Sequence, residues 1–130
     1  MSPERRTVLA ILLIAIPTAA NGIWMLVAPE HWYHGIPADV PDFGPFNQHF
    51  VRDIGAAYLA AGLALCWSAA RPAVRFPLLV VATLFFGLHA VVHLLDMLAH
   101  RVDAHHWLLD WPTVYLPPIL LARQAWKARA

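Results

Sequence analysis

The segment Thr7–Ala28 reads TVLAILLIAIPTAANGIWMLVA and contains no charged residue. A helix needs roughly 20 consecutive apolar residues to cross the hydrocarbon core of a bilayer, so this run is long enough to span. Its flank, Glu4-Arg5-Arg6, and the residues Pro17-Thr18-Ala19-Ala20 also have the shape of a secretory signal peptide. The apolar stretch nevertheless continues through Gly22, Ile23, Trp24, Met25, Leu26 and Val27. It is therefore read as a retained first membrane helix.

Three more apolar segments follow, at about His49–Ala70, Val74–Leu98 and Trp107–Arg123. In the last, Asp110 interrupts the start, and Pro112, Pro117 and Pro118 leave backbone groups unpaired; neighbouring helices or waters must satisfy them. Hydrophobic residues make up 60% of the 130 residues and charged residues 13%, where a soluble domain carries roughly 45–50% and about 25%. A small soluble domain could not bury that much apolar surface. The expected fold is all-α: one integral membrane domain over residues 1–130, a four-helix bundle with an outer loop at 29–48.

The basic residues orient it. Arg5 and Arg6 precede the first span, Arg71 and Arg75 lie between the second and third, and Arg123, Lys127 and Arg129 end the chain. The other two connections carry Glu30, Asp39 and Asp42, and Arg101 with Asp103. The positive-inside rule then places both termini in the cytoplasm. A net charge of +1 without a basic, aromatic-interleaved stripe gives no reason to expect nucleic acid. Cys66 is the only cysteine, which excludes an internal disulfide, a CxxC redox pair and a c-type haem attachment.

The connection from Pro29 to Gln48 is broken into turns by Pro29, Gly35, Pro37, Pro41, Gly44 and Pro45, yet it carries Trp32, Tyr33, Phe43 and Phe46. Two readings stand: a functional lid, or an aromatic belt with Pro29–Tyr33 as a short interfacial helix. In the second span Ala56, Ala60, Ala64 and Ser68 form a small-residue stripe, with Gly55 and Gly62 adding slimness. That pattern suits close packing of helices in lipid.

Ionisable residues inside a membrane are costly and usually face a bundle interior or a cavity. Here they gather at the outer ends of the spans. The second span enters with Asn47, His49, Arg52 and Asp53. The third leaves with His89, His93 and Asp96, and the fourth enters with His105, His106 and Asp110. Asn21 lies about two turns below the outer end of the first. His89, His93, Asp96 and His100 share one helical stripe, and His49 and Asp53 are four apart. His89 and His93 could chelate one metal ion, completed by His49 and a carboxylate from Asp53, Asp96 or Asp110. Such a site needs neutral imidazoles, so acid should weaken it. Haem would need histidines facing each other from two helices, His49 with His89 or His93. Arg52 is expected to pair with Asp96 or Asp110. The bland alternative is an interhelical hydrogen-bond network made of the same residues, and a pocket for a quinone or lipid is a third reading. His31, His34 and His100, taken singly, read as exposed interfacial histidines.

Asn47-x-His49-Phe50-Val51-Arg52-Asp53-Ile54-Gly55-x-Ala57-Tyr58-Leu59-x-x-Gly62, the Gly44-Pro45 lead-in and His89-x-x-x-His93-x-x-Asp96 resemble the motifs of a family of small, largely uncharacterised bacterial four-helix membrane proteins. The general layout is also similar to DoxX-like proteins, some of which accompany quinone-linked oxidoreductases. These resemblances imply a bacterial inner membrane and supply no catalytic residue.

Three functional classes follow. One is a binding or redox module holding a metal ion, haem or quinone at His49, His89, His93, Asp53 and Asp96, supported by Asn21, Asn47, Arg52, His106 and Asp110. Another is an accessory subunit of a larger membrane complex or a homo-oligomer. The last is an enzyme using a His/Asp acid–base pair on a lipid-soluble substrate; no nucleophile motif or phosphate loop is present.

Overall fold

In a computed structural model, which describes residues 1–129, the chain is helical almost throughout, with no strand among those residues. The Ser2 side chain accepts the Arg5 N–H at 3.3 Å, and Pro3 occupies the first helical position. Together they start α1 (Pro3–Val27) in the manner of a capped N-terminus. Proline opens the next helix as well: α2 (Pro29–Gly35) follows a one-residue joint at Ala28. A 3-10 turn (Val40–Phe43) then leads to Asn47, whose side chain accepts the Phe50 N–H at 3.1 Å and caps α3 (Gln48–Ala70). Arg71 alone separates α3 from α4 (Pro72–Leu98).

The expected fourth span is one continuous helical path in three parts. α5 (His106–Asp110) passes through a π-helical turn, Trp111–Tyr115, into α6 (Leu116–Ala128). Pro112 has no N–H for the Leu108 carbonyl, so the α pattern cannot continue there. The backbone widens, the Leu116 N–H reaches the Trp111 carbonyl, and the Thr113 hydroxyl donates to the Leu109 carbonyl at 3.3 Å.

α1, α3 and α4 are each long and apolar enough to cross a membrane. Their outward faces expose Leu13, Ile16, Val27, Leu63, Val81 and Leu88, a surface that suits lipid better than water. Successive long segments run antiparallel, as the Gly55–Met25, Tyr58–His89 and His93–Asp110 neighbours show. The closest pairs are α1 with α3 and α4 with α6. One core cluster, Ile11, Ala15, Leu65, Leu79, Phe86 and Leu121 among its members, draws on α1, α3, α4 and α6.

The α1–α3 crossing depends on glycine. A Cβ on Gly22 would run into the backbone of Leu59 and Gly55, and one on Gly62 into the backbone of Ala19. The close-packed side of α3 is therefore the Gly55–Gly62 side. The expected stripe is misplaced: Ala56 and Ala60 are exposed, and only Ser68 of that series is buried. The small-residue pattern identified a slim helix, but alanine and glycine lie on different faces of it.

Arg75 also departs from expectation. Because Pro72 starts α4, Arg75 sits one turn inside the helix and is buried. Its Nε donates to the Ser68 carbonyl (3.0 Å) and its Nη2 to the Ala69 carbonyl (3.1 Å), at the end of α3. The guanidinium also grips both Glu4 oxygens, at 3.0 and 2.8 Å. The last carbonyls of a helix lack partners and carry partial negative charge. One arginine satisfies two of them and ties the start of α1 to the α3–α4 joint.

Candidate functional site

At the opposite end from Arg71, the loop after α2 meets the C-terminal end of α4 and the N-terminal end of α5. The loop is held from within. Trp32 Nε1 donates to Asn21 Oδ1 at 2.8 Å, and the Tyr33 hydroxyl donates to the Gly44 carbonyl at 2.6 Å. Asp39 adopts a left-handed backbone with φ 46°, a conformation that aspartate tolerates better than most residues. These restraints deliver Asp39, Asp42 and Phe43 onto the helix ends. Residues Pro29–Gly35 form a short helix, and the segment beyond it packs on a polar cluster.

Asp110 is central to that cluster and 2% exposed. His93 Nδ1 donates to its Oδ2 at 2.8 Å, and His106 Nδ1 lies 3.8 Å from its Oδ1. His106 is fully buried; its Nε2 donates to Asp42 Oδ2 at 3.2 Å, and its Nδ1 makes no hydrogen bond. His105 Nε2 donates to Asp39 Oδ2 at 3.1 Å and lies 3.9 Å from Asp42 Oδ2. Phe43 packs its ring 4.8 Å from that of His93 and 4.7 Å from that of His106. Deeper in, His93 and His89 rings meet edge-on at 4.6 Å, and His89 Nε2 shares a 3.0 Å hydrogen bond with the Tyr58 hydroxyl. The network thus runs from the loop through α5 and α4 to the middle of α3.

Several expected members are elsewhere. His49 and Asp53 pair with each other at 3.3 Å on the outside of α3, with side chains 89% and 66% exposed. His49 therefore does not face His89 or His93, and the His49-based metal or haem pairing is not formed. Helical periodicity had grouped residues within each helix correctly, but it says nothing about how one helix is rotated against the next. Asp96 pairs with Arg101 at 2.9 Å and makes no hydrogen bond to His89 or His93 among the described residues. Arg52 does not reach Asp96 or Asp110. Its Nε donates to the Leu26 carbonyl at 3.1 Å, at the electronegative end of α1. Asn21 and Asn47 serve as the loop anchor and the α3 cap just described. His89, His93, His106 and Asp110 do come together.

Tyr58, Phe43, Asp39, Asp42 and His105 complete the cluster and were not singled out as site residues. Tyr58 stands in the motif that carries His49, four residues deeper than Ile54, so its presence was visible without its partner. The loop residues follow no periodicity that could have pointed to them.

The ligand-capable atoms of Asp42, His105 and His106 all lie within 4.8 Å of one another. Ligands about 2.1 Å from a tetrahedral ion sit roughly 3.4 Å apart, close to the separations already present. Asp39 adds an oxygen next to His105. No family model matches the chain, and no curated protein or solved structure matches it either.

Proposed function

We propose that the chain is a bacterial inner-membrane protein that binds one divalent transition-metal ion at its outer end through Asp42, His105 and His106. One observation carries this reading. Asp39, Asp42 and Asp110 converge with histidines only, and no lysine or arginine pairs with them among the described residues. Asp110 is buried, while Asp42 and Asp39 are partly exposed beside the same histidines; a divalent ion would supply positive charge there together with the ligand geometry that imidazole and carboxylate prefer.

The surroundings suit an ion. His106 would hold an ion through Nε2 in the tautomer that carries its single ring proton on Nδ1, 3.8 Å from Asp110 Oδ1. A ligating histidine held by a carboxylate behind it is a common supporting arrangement. His93 holds that carboxylate in place from the other side. Asp42 and His105 are partly exposed, so the ion enters from the outer face. Asp39 is the nearest source of a fourth ligand. The deeper His89–Tyr58 pair adds a tie between α3 and α4 and no ligand.

The membrane placement has α5, the π turn and α6 crossing as a fourth span. The path from His106 to Ala128 would extend roughly 34 Å at 1.5 Å per residue. Arg5, Arg6, Arg71, Arg123, Lys127 and Arg129 mark the cytoplasmic end. Thiol labels at exposed Asp39 and Ala73 should react from opposite sides of the membrane, and labelling from one side would overturn the topology.

The binding itself is tested by zinc titration of the purified protein. One ion per chain is expected, lost in Asp42→Ala and in the double variant His105→Ala/His106→Ala, and retained in His49→Ala. Absence of binding, or binding that depends on His49 instead, would refute the site.

A further inference from the structure

The side of α3 that faces away from α1 is left uncovered by the described residues. Along it stand His49, Asp53, Ala56, Ala60, Leu63 and Trp67, all exposed. Their spacing alternates four and three residues, so they form one seam with a seven-residue repeat. That is the spacing by which two helices stay in register as they cross at a shallow angle. Arg52 flanks the seam beside Asp53. Among the described residues its one hydrogen bond runs from Nε to the Leu26 carbonyl, and neither terminal guanidinium nitrogen has a partner.

Arginine and aspartate exposed together on a membrane helix are costly when they face lipid. We infer that this face of α3 is the interface of a parallel homodimer, with Arg52 of each copy paired to Asp53 of the other. Two copies inserted with the same topology are related by a two-fold axis along the membrane normal, which brings each residue opposite its own height. Arg52 and Asp53 differ in height by about 1.5 Å, so opposite charges meet at one level and the interface carries two equivalent ion pairs. Below them Ala56 and Ala60 let the helix backbones approach, and Leu63 with Trp67 fills the inner part of the seam. A larger unlike partner would have no reason to present the same charges, reversed, at the same depth. The inference uses the membrane placement given above and is independent of metal binding.

The test is disulfide cross-linking in membranes, in a full-length Cys66→Ser background. Ala60→Cys should form a covalent dimer on mild oxidation, while Leu13→Cys on α1 and Leu88→Cys on α4 should not. Asp53→Arg should reduce the Ala60→Cys dimer at least tenfold by placing four arginines together. The reversed pair, Arg52→Asp with Asp53→Arg, should restore most of it, which a merely misfolded variant could not do. A monomer at Ala60→Cys, equal cross-linking at the control positions, a product heavier than two copies, or no response to Asp53→Arg would each overturn the dimer. Restoration failing in the reversed pair would overturn the Arg52–Asp53 pairing.

Discussion

The two polar regions of this protein solve the same problem differently. At the Arg71 end, Arg75 is a permanent cation whose donors meet two helix carbonyls and both oxygens of Glu4. At the loop end, Asp39, Asp42 and Asp110 meet imidazoles, whose charge depends on proton or metal, and His106 Nδ1 is left without a hydrogen bond. The first arrangement is closed and fixed. The second is open to a further ion. The contrast teaches that a buried polar cluster suggests ligand binding by what it leaves unmatched, and not by how many polar groups it gathers.

If the Arg75 clamp is structural, removing it should have the largest effect on folding. Arg75→Leu orphans two buried carbonyls, each worth roughly 1–3 kcal/mol when left unsatisfied. A loss of about 2–4 kcal/mol is expected, read as a large fall in thermal midpoint in detergent. Glu4→Gln, at the exposed side of the same pair, should move the thermal midpoint far less, because solvent screens that charge. Neither change should alter zinc affinity. A zinc effect in Arg75→Leu protein that still folds would break the separation of the two regions.

The loop end should respond to metal instead. An ion that binds only the folded state stabilises it by mass action, about 2.7 kcal/mol at 100 times the dissociation constant. Zinc should therefore raise the thermal midpoint of the wild type and of Glu4→Gln alike, and leave Asp42→Ala unmoved. Asp110→Asn, which weakens the support behind His106 without removing a ligand, should lower affinity roughly 10–100-fold. An unchanged affinity would remove Asp110 from the metal site and leave it as an interhelical tie.

Much of this contrast was legible before the fold was known, and the parts that were not have physical reasons. The apolar runs marked the three long helices, because length and hydropathy are local signals. His89 and His93 share a face because four residues return a helix to the same side. His49 fits the same rule, yet α3 is turned so that its glycine side meets α1 and its His49 side faces out. Rotation of one helix about its axis is set by packing, and here by Gly22, Gly55 and Gly62. Asp42 and Phe43 lie in a segment without periodicity, so only the folded loop shows that they cap the cluster. Arg75 read as a loop charge, although Pro72 was a visible sign that the helix begins earlier.

The smallest expected effect divides the outer network itself. Tyr58 and His89 lie at its deep end, on the far side of His93 from the proposed ligands, and contact neither Asp42 nor His106. Tyr58→Phe removes one hydroxyl and keeps the ring that packs on Phe85 and Phe86. The loss is that of a single part-buried hydrogen bond, about 1 kcal/mol, so the thermal midpoint should fall by only a few degrees. Zinc affinity should stay within twofold of wild type, since the Asp110–His93 contact is untouched. Calorimetric titration of Tyr58→Phe beside Asp110→Asn makes the comparison direct. If Tyr58→Phe weakens zinc binding as much as Asp110→Asn, the deep pair and the outer ligands act as one unit. The boundary between the structural and the metal-binding part of the cluster would then not lie at His93.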